Sequence, residues 1–139
     1  RRPGKGLFVR EPRLATRLVQ VVVPDLQYDQ CVKIARGAKL SGNDRGAQVQ
    51  VYDAHGSMAS DIEMLRRLPR SGAHGAIIAS WHHPRFAEVI YELKSVGFPF
   101  VLVDERMHEL DVPSVVADNH GGGLAVGRAL VEPRHRRIG

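Results

Sequence analysis

The sequence predicts an α/β fold, a three-layer α/β/α sandwich built on a parallel sheet of five strands. Two observations lead to this prediction. Short runs of β-branched and aliphatic residues recur at five places, and segments with apolar residues at helical spacing lie between most of them. Because single helices separate most consecutive strands, the strands are expected to pair in parallel through right-handed crossovers.

The first half of the chain predicts two strands and two helices. Residues 18–23 form a valine-rich run that ends at Pro24, which is typical of a strand buried on both faces. An apolar stripe at helical spacing follows and is formed by Cys31, Ile34, Ala35 and Ala38. This helix is expected to close near Gly46, and residues 47–53 then alternate with the period of a strand. A second helical stripe is formed by Ile62, Leu65 and Leu68, and Pro69 is expected to stop it.

The second half of the chain predicts three strands and two helices. The strands are residues 75–80, 100–104 and 113–118. Between the first two lies a helical stripe formed by Phe86, Val89, Ile90 and Leu93, and Gly97 follows where a left-handed cap is wanted. Asp118 or Asn119 can cap the last helix. The apolar stripe of that helix is formed by Leu124, Ala125, Ala129 and Leu130.

Composition and charge favour one globular domain with basic ends. The 139 residues are 43% hydrophobic and 25% charged. Residues 1–17 carry six basic residues and one acidic residue, and residues 128–139 carry four basic residues and one acidic residue. Residues 18–127 hold 10 basic and 13 acidic residues, so the excess positive charge belongs to the ends. Such ends favour a nucleic-acid contact, with merely solvated arginines as the alternative.

The single cysteine and the lack of long apolar runs bear on the compartment. Cys31 has no cysteine partner within the chain, which excludes an internal disulfide and a multi-thiolate zinc site. No apolar run approaches the roughly 20 residues that span a bilayer, and the given residues contain no signal-peptide pattern, with a signal upstream of Arg1 left open. We therefore expect a cytoplasmic protein without a membrane partner.

Hydrogen-bonding and aromatic side chains cluster where the predicted strands end. These stretches are residues 24–28, 53–55, 80–83, 104–106 and 118–119. Ligands of open parallel sheets bind beyond the carboxyl ends of the strands, where these loops converge. Carboxylates, amides and a guanidinium suit the hydroxyls of a ligand, while Tyr28 and Trp81 can stack on its apolar face. The pattern predicts a small polyhydroxylated ligand.

Other chemistries find less support in the residues. Gly121–Gly123 with Gly127 approximates a dinucleotide fingerprint, but it follows the fifth strand, so tight strand-to-helix packing is the simpler interpretation. The PGKG stretch lacks the Ser or Thr of a phosphate-binding loop, and the seven histidines lack paired ligand spacing. Three acids could converge for catalysis, namely Asp104, Glu105 and Asp118. Without a nucleophile motif we predict no enzyme, no metal and no cofactor.

Four stretches of the chain carry a resemblance to a known family. They are VVVPDLQYD, ARGAKLSGNDRGAQVQVYDA, SGAHGAIIAS and FPFVLVDERMHELDVPSVVADNHGGGLAVGRALVEPRHRRIG. Residues 18–139 resemble the effector-binding region of the lactose/galactose repressor (LacI/GalR) family, which has a periplasmic-binding-protein-like fold. The last stretch is the most specific, because its motifs keep the family's order and spacing. The resemblance implies the N-terminal lobe of a sugar sensor.

The opening RRPGKGLFV resembles the end of a GntR-type winged-helix domain, whose wing turns on glycines between basic residues. Leu7 stands where that motif usually has threonine. The resemblance implies an arabinose-repressor-like arrangement, in which a GntR-type reader precedes a LacI-type sensor. Arg1, Arg2 and Lys5 would then be the cations that contact DNA phosphates or the minor groove.

Together the two resemblances imply a domain plan and a set of partners. Residues 1–10 would be the remnant of the wing, 11–17 a linker and 18–139 the N-terminal lobe, with the second lobe and the remainder of the reader missing from this sequence. The implied effector contacts are Asp25, Gln27, Tyr28, Ser80, Trp81, Asp104, Arg106 and Asn119. The implied partners are a sugar-like effector, operator DNA through the missing N-terminal domain, and a second copy in a homodimer. Weak effector affinity is expected for these residues alone.

The chain departs from the family pattern at three places, and two other protein classes remain open. Gly42 and Pro69 fall where helix formers are usual. Pro133-Arg134 stands where the family has Leu-Gly, which removes a glycine cap and should end the last helix early. The main alternative to a regulator is a solute-binding protein of a sugar transporter, which shares the fold. The second is a small α/β enzyme that uses Asp104 and Asp118.

Overall fold

The computed structural model describes residues 17–79 and 83–131, which contain five strands in one parallel sheet. The strands are β1 (Leu18–Val23), β2 (Gln48–Asp53), β3 (Gly75–Ala79), β4 (Phe100–Val103) and β5 (Ser114–Val115). The helices are α1 (Asp29–Asp44), α2 (Met58–Arg67), α3 (Pro84–Ser95) and α4 (Asn119–Val131). The strand order is β2-β1-β3-β4-β5, and every pair is parallel. The predicted fold class is confirmed.

Alternate side chains of the interior strand β1 point into two apolar clusters. Val21 and Val23 pack with the buried Cys31 of α1 and with Ala79 of β3. Val22, on the opposite face of the sheet, packs with buried residues of α2 and α3, and this larger cluster includes Leu65, Ile78, Phe86, Ile90 and Leu102. Helix α1 therefore covers one face of the sheet and α2 and α3 cover the other, which makes three layers.

The helix boundaries follow from local chemistry. Gly46 and Gly97 have φ angles of +67° and +69°, as expected of the glycines that end α1 and α3. Ser57 begins α2, and its side chain accepts a hydrogen bond from the backbone N–H of Ser60 at 3.3 Å. Helix α2 ends at Arg67, and Pro69 lies inside the 3₁₀ turn Leu68–Arg70 that follows it. The α-helix stops just before the proline because Pro69 has no N–H to donate to the next i→i−4 hydrogen bond, although Leu68 itself keeps helical φ and ψ angles of −49° and −47°.

The fifth strand and the last helix differ from the prediction. Residues 113–118 were expected to form a strand, but only Ser114–Val115 pairs with β4, at the edge of the sheet. The next residues turn at once into α4, where Asn119 N donates to Ala117 O at 2.9 Å. Helix α4 forms as predicted, yet its apolar stripe is not buried by the described residues, since Leu124 is 49% exposed and Leu130 is 38% exposed. The predicted early stop at Pro133 falls outside the described residues.

No helix in residues 17–79 and 83–131 combines the length and the hydropathy needed to cross a membrane.

Candidate functional site

A hollow of about 180 Å³ lies at the carboxyl ends of β1, β3 and β4. It is lined by Pro24, Tyr28, Gln30, Cys31, Ile34, Ala79, Val103 and Asp104. Half of this lining is aliphatic or proline, while an acid, an amide and a phenol supply the polar groups. The parallel sheet produces the arrangement, because the loops that follow its strands meet at one edge. The lining contains two of the predicted effector contacts, Tyr28 and Asp104.

Asp104 is held in an unusual backbone conformation at the end of β4. Its φ angle is +67°, in the left-handed region that aspartate tolerates better than most residues. The left-handed turn ends β4 at Val103, one residue earlier than predicted. The backbone N–H of Asp104 donates to Val115 O at 2.9 Å, which ties the turn to β5. Backbone strain of this kind clusters at ligand-binding positions.

The Asp104 carboxylate meets α1 through a hydrogen bond. Gln30 Nε2 donates to Asp104 Oδ2 at 2.7 Å, across 74 positions of sequence. Both side chains are exposed at the hollow. Gln30 was not among the predicted contacts. The sequence feature that could have identified Gln30 is its position in the first turn of the helix that follows the β1 loop.

The loop after β1 is shaped by Asp25. Its Oδ1 accepts a hydrogen bond from Gln27 N at 2.7 Å, and its carbonyl oxygen accepts one from Tyr28 N at 3.3 Å. Asp25 therefore folds the loop, while the Gln27 side chain is exposed and does not line the hollow. Tyr28 is the N-cap residue of α1 and is 60% exposed, so its side chain is accessible to a ligand.

A second loop, after β2, supports the first. Gly56 N donates to Pro24 O at 2.9 Å. His55 and Gly56 both have left-handed φ angles, of +51° and +74°. The Asp53 carboxylate accepts a hydrogen bond from His55 N at 2.9 Å and lies 3.2 Å from His55 Nδ1. The Asp53–His55 contacts shape the β2 loop, and the hydrogen bond from Gly56 to Pro24 ties it to the β1 loop.

Cys31 forms part of the floor of the hollow. It is 7% exposed, and burial raises the pKa of its thiol from 9.0. A hydrogen bond with the backbone of Asp25 lowers the pKa in part, whereas the nearby negative charges of Asp25, Asp53 and Asp61 raise it further. Near neutral pH the group is therefore a neutral thiol that packs as a small apolar side chain.

The remaining predicted contacts lie elsewhere or outside the described residues. Arg106 lines a neighbouring hollow of about 300 Å³ with Glu105, His83 and His108. Asn119 is the exposed first residue of α4 and does not line the first hollow. Ser80 and Trp81, which follow β3, and the predicted DNA contacts lie outside the described residues; those DNA contacts are Arg1, Arg2 and Lys5.

Asp118 caps α4. Its Oδ1 accepts a hydrogen bond from Gly121 N at 2.8 Å, and a Cβ atom at position 121 would clash with this carboxylate. The Gly121 N–H at the start of this glycine-led helix is therefore already bonded to a carboxylate of the same chain. A dinucleotide phosphate bound there would need free N–H groups. A Cβ at Gly122, Gly123 or Gly127 would meet no described atom within 4 Å, so the packing interpretation of these three glycines is wrong for the described residues.

The acids considered for catalysis are dispersed. Asp104 pairs with Gln30 at the first hollow, Glu105 lines the second, and Asp118 caps α4. Residues 17–79 and 83–131 contain no group of three or more metal-ligating side chains that could hold an ion.

Comparisons with known proteins place these features in context. Residues 16–139 match the family model described as periplasmic binding proteins and sugar-binding domain of the LacI family. The arabinose metabolism transcriptional repressor of Geobacillus stearothermophilus is 24% identical over 143 aligned positions, which cover 97% of this chain and 39% of the repressor.

Solved structures share the fold. The Caulobacter myo-inositol binding protein with bound myo-inositol matches with a TM-score of 0.77 and 28% identity, over 88% of this chain and 42% of that protein. A LacI transcriptional regulator from Lactobacillus brevis matches with a TM-score of 0.73 and 24% identity, over 84% of this chain and 44% of that protein. The chain therefore spans less than half of the length of these relatives.

Proposed function

We propose that this chain, which belongs to the family of periplasmic binding proteins and LacI-type sugar-binding domains, is the sugar-sensing domain of a DNA-binding transcription regulator. The observation that carries the proposal is the hollow that Asp104 and Tyr28 both line. Its volume of about 180 Å³ is below the range of roughly 300–1,000 Å³ typical of drug-sized ligands. A single sugar ring belongs to this smaller size class.

The lining matches the chemistry of a neutral sugar. Asp104 accepts hydrogen bonds from hydroxyl groups, and the exposed ring of Tyr28 packs on the C–H face of the sugar ring. Ile34 and Val103 supply apolar contact beside them. The described lining contains an aspartate but no lysine or arginine, so the ligand group against Asp104 is an uncharged hydroxyl instead of a phosphate.

The regulator half of the proposal is supported by the repressor relative and by the position of the basic residues. The match with the arabinose repressor extends over 97% of this chain. Residues 1–17 carry six basic residues against one acidic residue. We propose that residues 1–10 end a DNA-binding wing, 11–17 link it to the sensor and 18–139 form one lobe of the sensor.

The same proposal includes the partners and the response. The regulator acts in the cytoplasm as a homodimer on operator DNA. A sugar that binds the closed sensor more tightly than the open one shifts the population toward closure, and this changes the spacing of the two DNA readers. Coupling of this kind is typically worth about 1–3 kcal/mol, or five- to 150-fold in operator affinity.

One observation favours a second candidate, a sugar-binding protein of a transporter. The myo-inositol binding protein is 28% identical, a higher identity than that of the repressor, and its TM-score is 0.77. A transport protein would use the same hollow for a sugar and would need no DNA contact.

Two measurements on the protein, purified at the length its gene encodes, test the proposal. Calorimetry against arabinose, ribose, glucose, myo-inositol and fructose 1-phosphate should give binding of at least one neutral sugar. Fluorescence anisotropy should then detect tight binding to the promoter DNA upstream of its own gene, with at least a fivefold change in affinity when that sugar is added. Sugar binding without any DNA binding would support the transport candidate. Absence of binding to every compound in the panel would contradict both.

A further inference from the structure

The contact between Gln30 and Asp104 joins two layers of the fold at the hollow. Gln30 belongs to α1, on one face of the sheet, whereas Asp104 follows β4 within the sheet. Both backbones are fixed. Tyr28 O accepts a hydrogen bond from Val32 N at 3.2 Å in the first turn of α1, and Val115 O holds Asp104 N at 2.9 Å. The Gln30–Asp104 bond therefore forms between two anchored positions.

The chemistry of the pair determines which atoms meet. An ionised carboxylate only accepts hydrogen bonds, so the Gln30 amide presents its Nε2 donor to Asp104 Oδ2, at 2.7 Å. Among the described residues, Gln30 is the one side chain that donates to this carboxylate. The terminal torsion of an aspartate is broad, and an exposed carboxylate without such a donor would rotate. The amide holds Oδ2 and leaves Oδ1 as an acceptor of defined direction.

We infer that Gln30 is the positioning residue of the effector site, which fixes the Asp104 carboxylate so that Oδ1 receives one hydroxyl of a neutral sugar. This inference rests on the proposed function. It assigns Gln30 a role exerted through Asp104, because an acceptor that is oriented before binding avoids the ordering cost during binding. The net value of one such hydrogen bond is about 0.5–1.5 kcal/mol, or roughly two- to tenfold in affinity.

A double-mutant cycle on the gene-length protein tests the inference, with the sugar that the wild-type protein binds best in the panel. Gln30→Met keeps the length of the side chain and removes the donor. Asp104→Gly removes the carboxylate and suits the left-handed backbone of this position. We expect Gln30→Met to weaken sugar binding about two- to tenfold in the wild-type background and less than twofold in the Asp104→Gly background.

A second variant strengthens the test. Gln30→Glu places an acceptor where the donor was, so it should weaken binding at neutral pH more than Gln30→Met does. Equal losses from Gln30→Met in the two backgrounds would indicate that Gln30 merely supports the fold of α1, and would overturn the inference while leaving the proposed function intact. Failure of the wild-type protein to bind any sugar would instead remove the proposed function and this inference with it.

Discussion

Gly42 of α1 lies so close to Val49 of β2 that a Cβ atom at position 42 would clash with the Val49 Cγ2 methyl. Gly42 lies in the last turn of α1, and glycine within a helix costs up to about 1 kcal/mol relative to alanine. The short distance between α1 and β2 explains why glycine occupies position 42 despite this cost. The departure from helix-forming residues at this position thus follows from packing on β2.

Alanine at position 42 should therefore destabilise the protein despite its higher helix propensity. Overpacking costs about 1–3 kcal/mol, which exceeds the gain of about 1 kcal/mol from propensity. Urea unfolding should give a lower free energy of unfolding for Gly42→Ala than for wild type. In a Val49→Ala background, where the clashing methyl is absent, Gly42→Ala should instead raise the free energy of unfolding. Gly37→Ala is the matched control, because a Cβ there meets no described atom within 4 Å, and it should stabilise. Equal effects at positions 37 and 42 would contradict the packing argument.

The apolar cluster between the sheet and α3 should account for a large share of the stability. Phe86 is fully buried in it, so Phe86→Ala should lower the free energy of unfolding by about 3–5 kcal/mol. Tyr91 lies on the same helix but is 60% exposed, and Tyr91→Ala should stay within about 0.5 kcal/mol of wild type. A loss at Phe86 no larger than the loss at Tyr91 would disprove the assigned orientation of α3.

The Cys31 thiol should react slowly with alkylating agents. Burial raises its pKa from 9.0, so the reactive thiolate is a smaller fraction at pH 8 than in free cysteine, and it is also shielded. Mass spectrometry of the peptide that contains Cys31 should show that iodoacetamide labels this thiol more slowly than it labels the thiol of glutathione. A bound sugar should slow it further, since Cys31 lines the hollow. Labelling as fast as that of glutathione would contradict the described burial.

The cap of α4 should be detectable in local hydrogen exchange. Asp118→Ala removes the acceptor of the Gly121 N–H and should accelerate exchange of that amide by about five- to tenfold, as expected for a cap worth about 1 kcal/mol. Asp118→Asn keeps an acceptor oxygen and should preserve most of the protection. Unchanged exchange in Asp118→Ala would mean that the carboxylate does not cap the helix in solution.

Periodicity was sufficient for most of the fold. The valine run of β1 and the stripe of α3 were recognisable because burial on a sheet or a helix face repeats with a fixed period. The fifth strand was overestimated at residues 113–118, because the β-branched Val116 continues the run past the two residues that pair with β4. An edge strand is limited by where its neighbour ends, and β4 ends at the left-handed Asp104.

The site was predictable only as a location. Placing Asp104 and Tyr28 at one edge of the sheet required only the parallel topology. The partner of Asp104 was missed, because a contact across 74 positions depends on where α1 starts and on the rotamers of two exposed side chains. Similarly, the sequence offered Asp118 and Asn119 as alternative caps, and only the hydrogen bond to Gly121 distinguishes them.

The most direct test of the sensor proposal is the sugar affinity of Asp104→Asn in the gene-length protein, measured by calorimetry beside Asp44→Asn. Asparagine tolerates the left-handed backbone, keeps the volume and can still accept from Gln30, but it then presents an N–H where the sugar needs an acceptor. Asp44 ends α1 and lies outside the lining of the hollow, so its substitution matches the change in charge. We predict a roughly ten- to hundredfold loss of affinity for Asp104→Asn, from a hydrogen bond to a charged group, and no change for Asp44→Asn. Equal affinities of the two variants would contradict the assignment of Asp104 as the sugar acceptor.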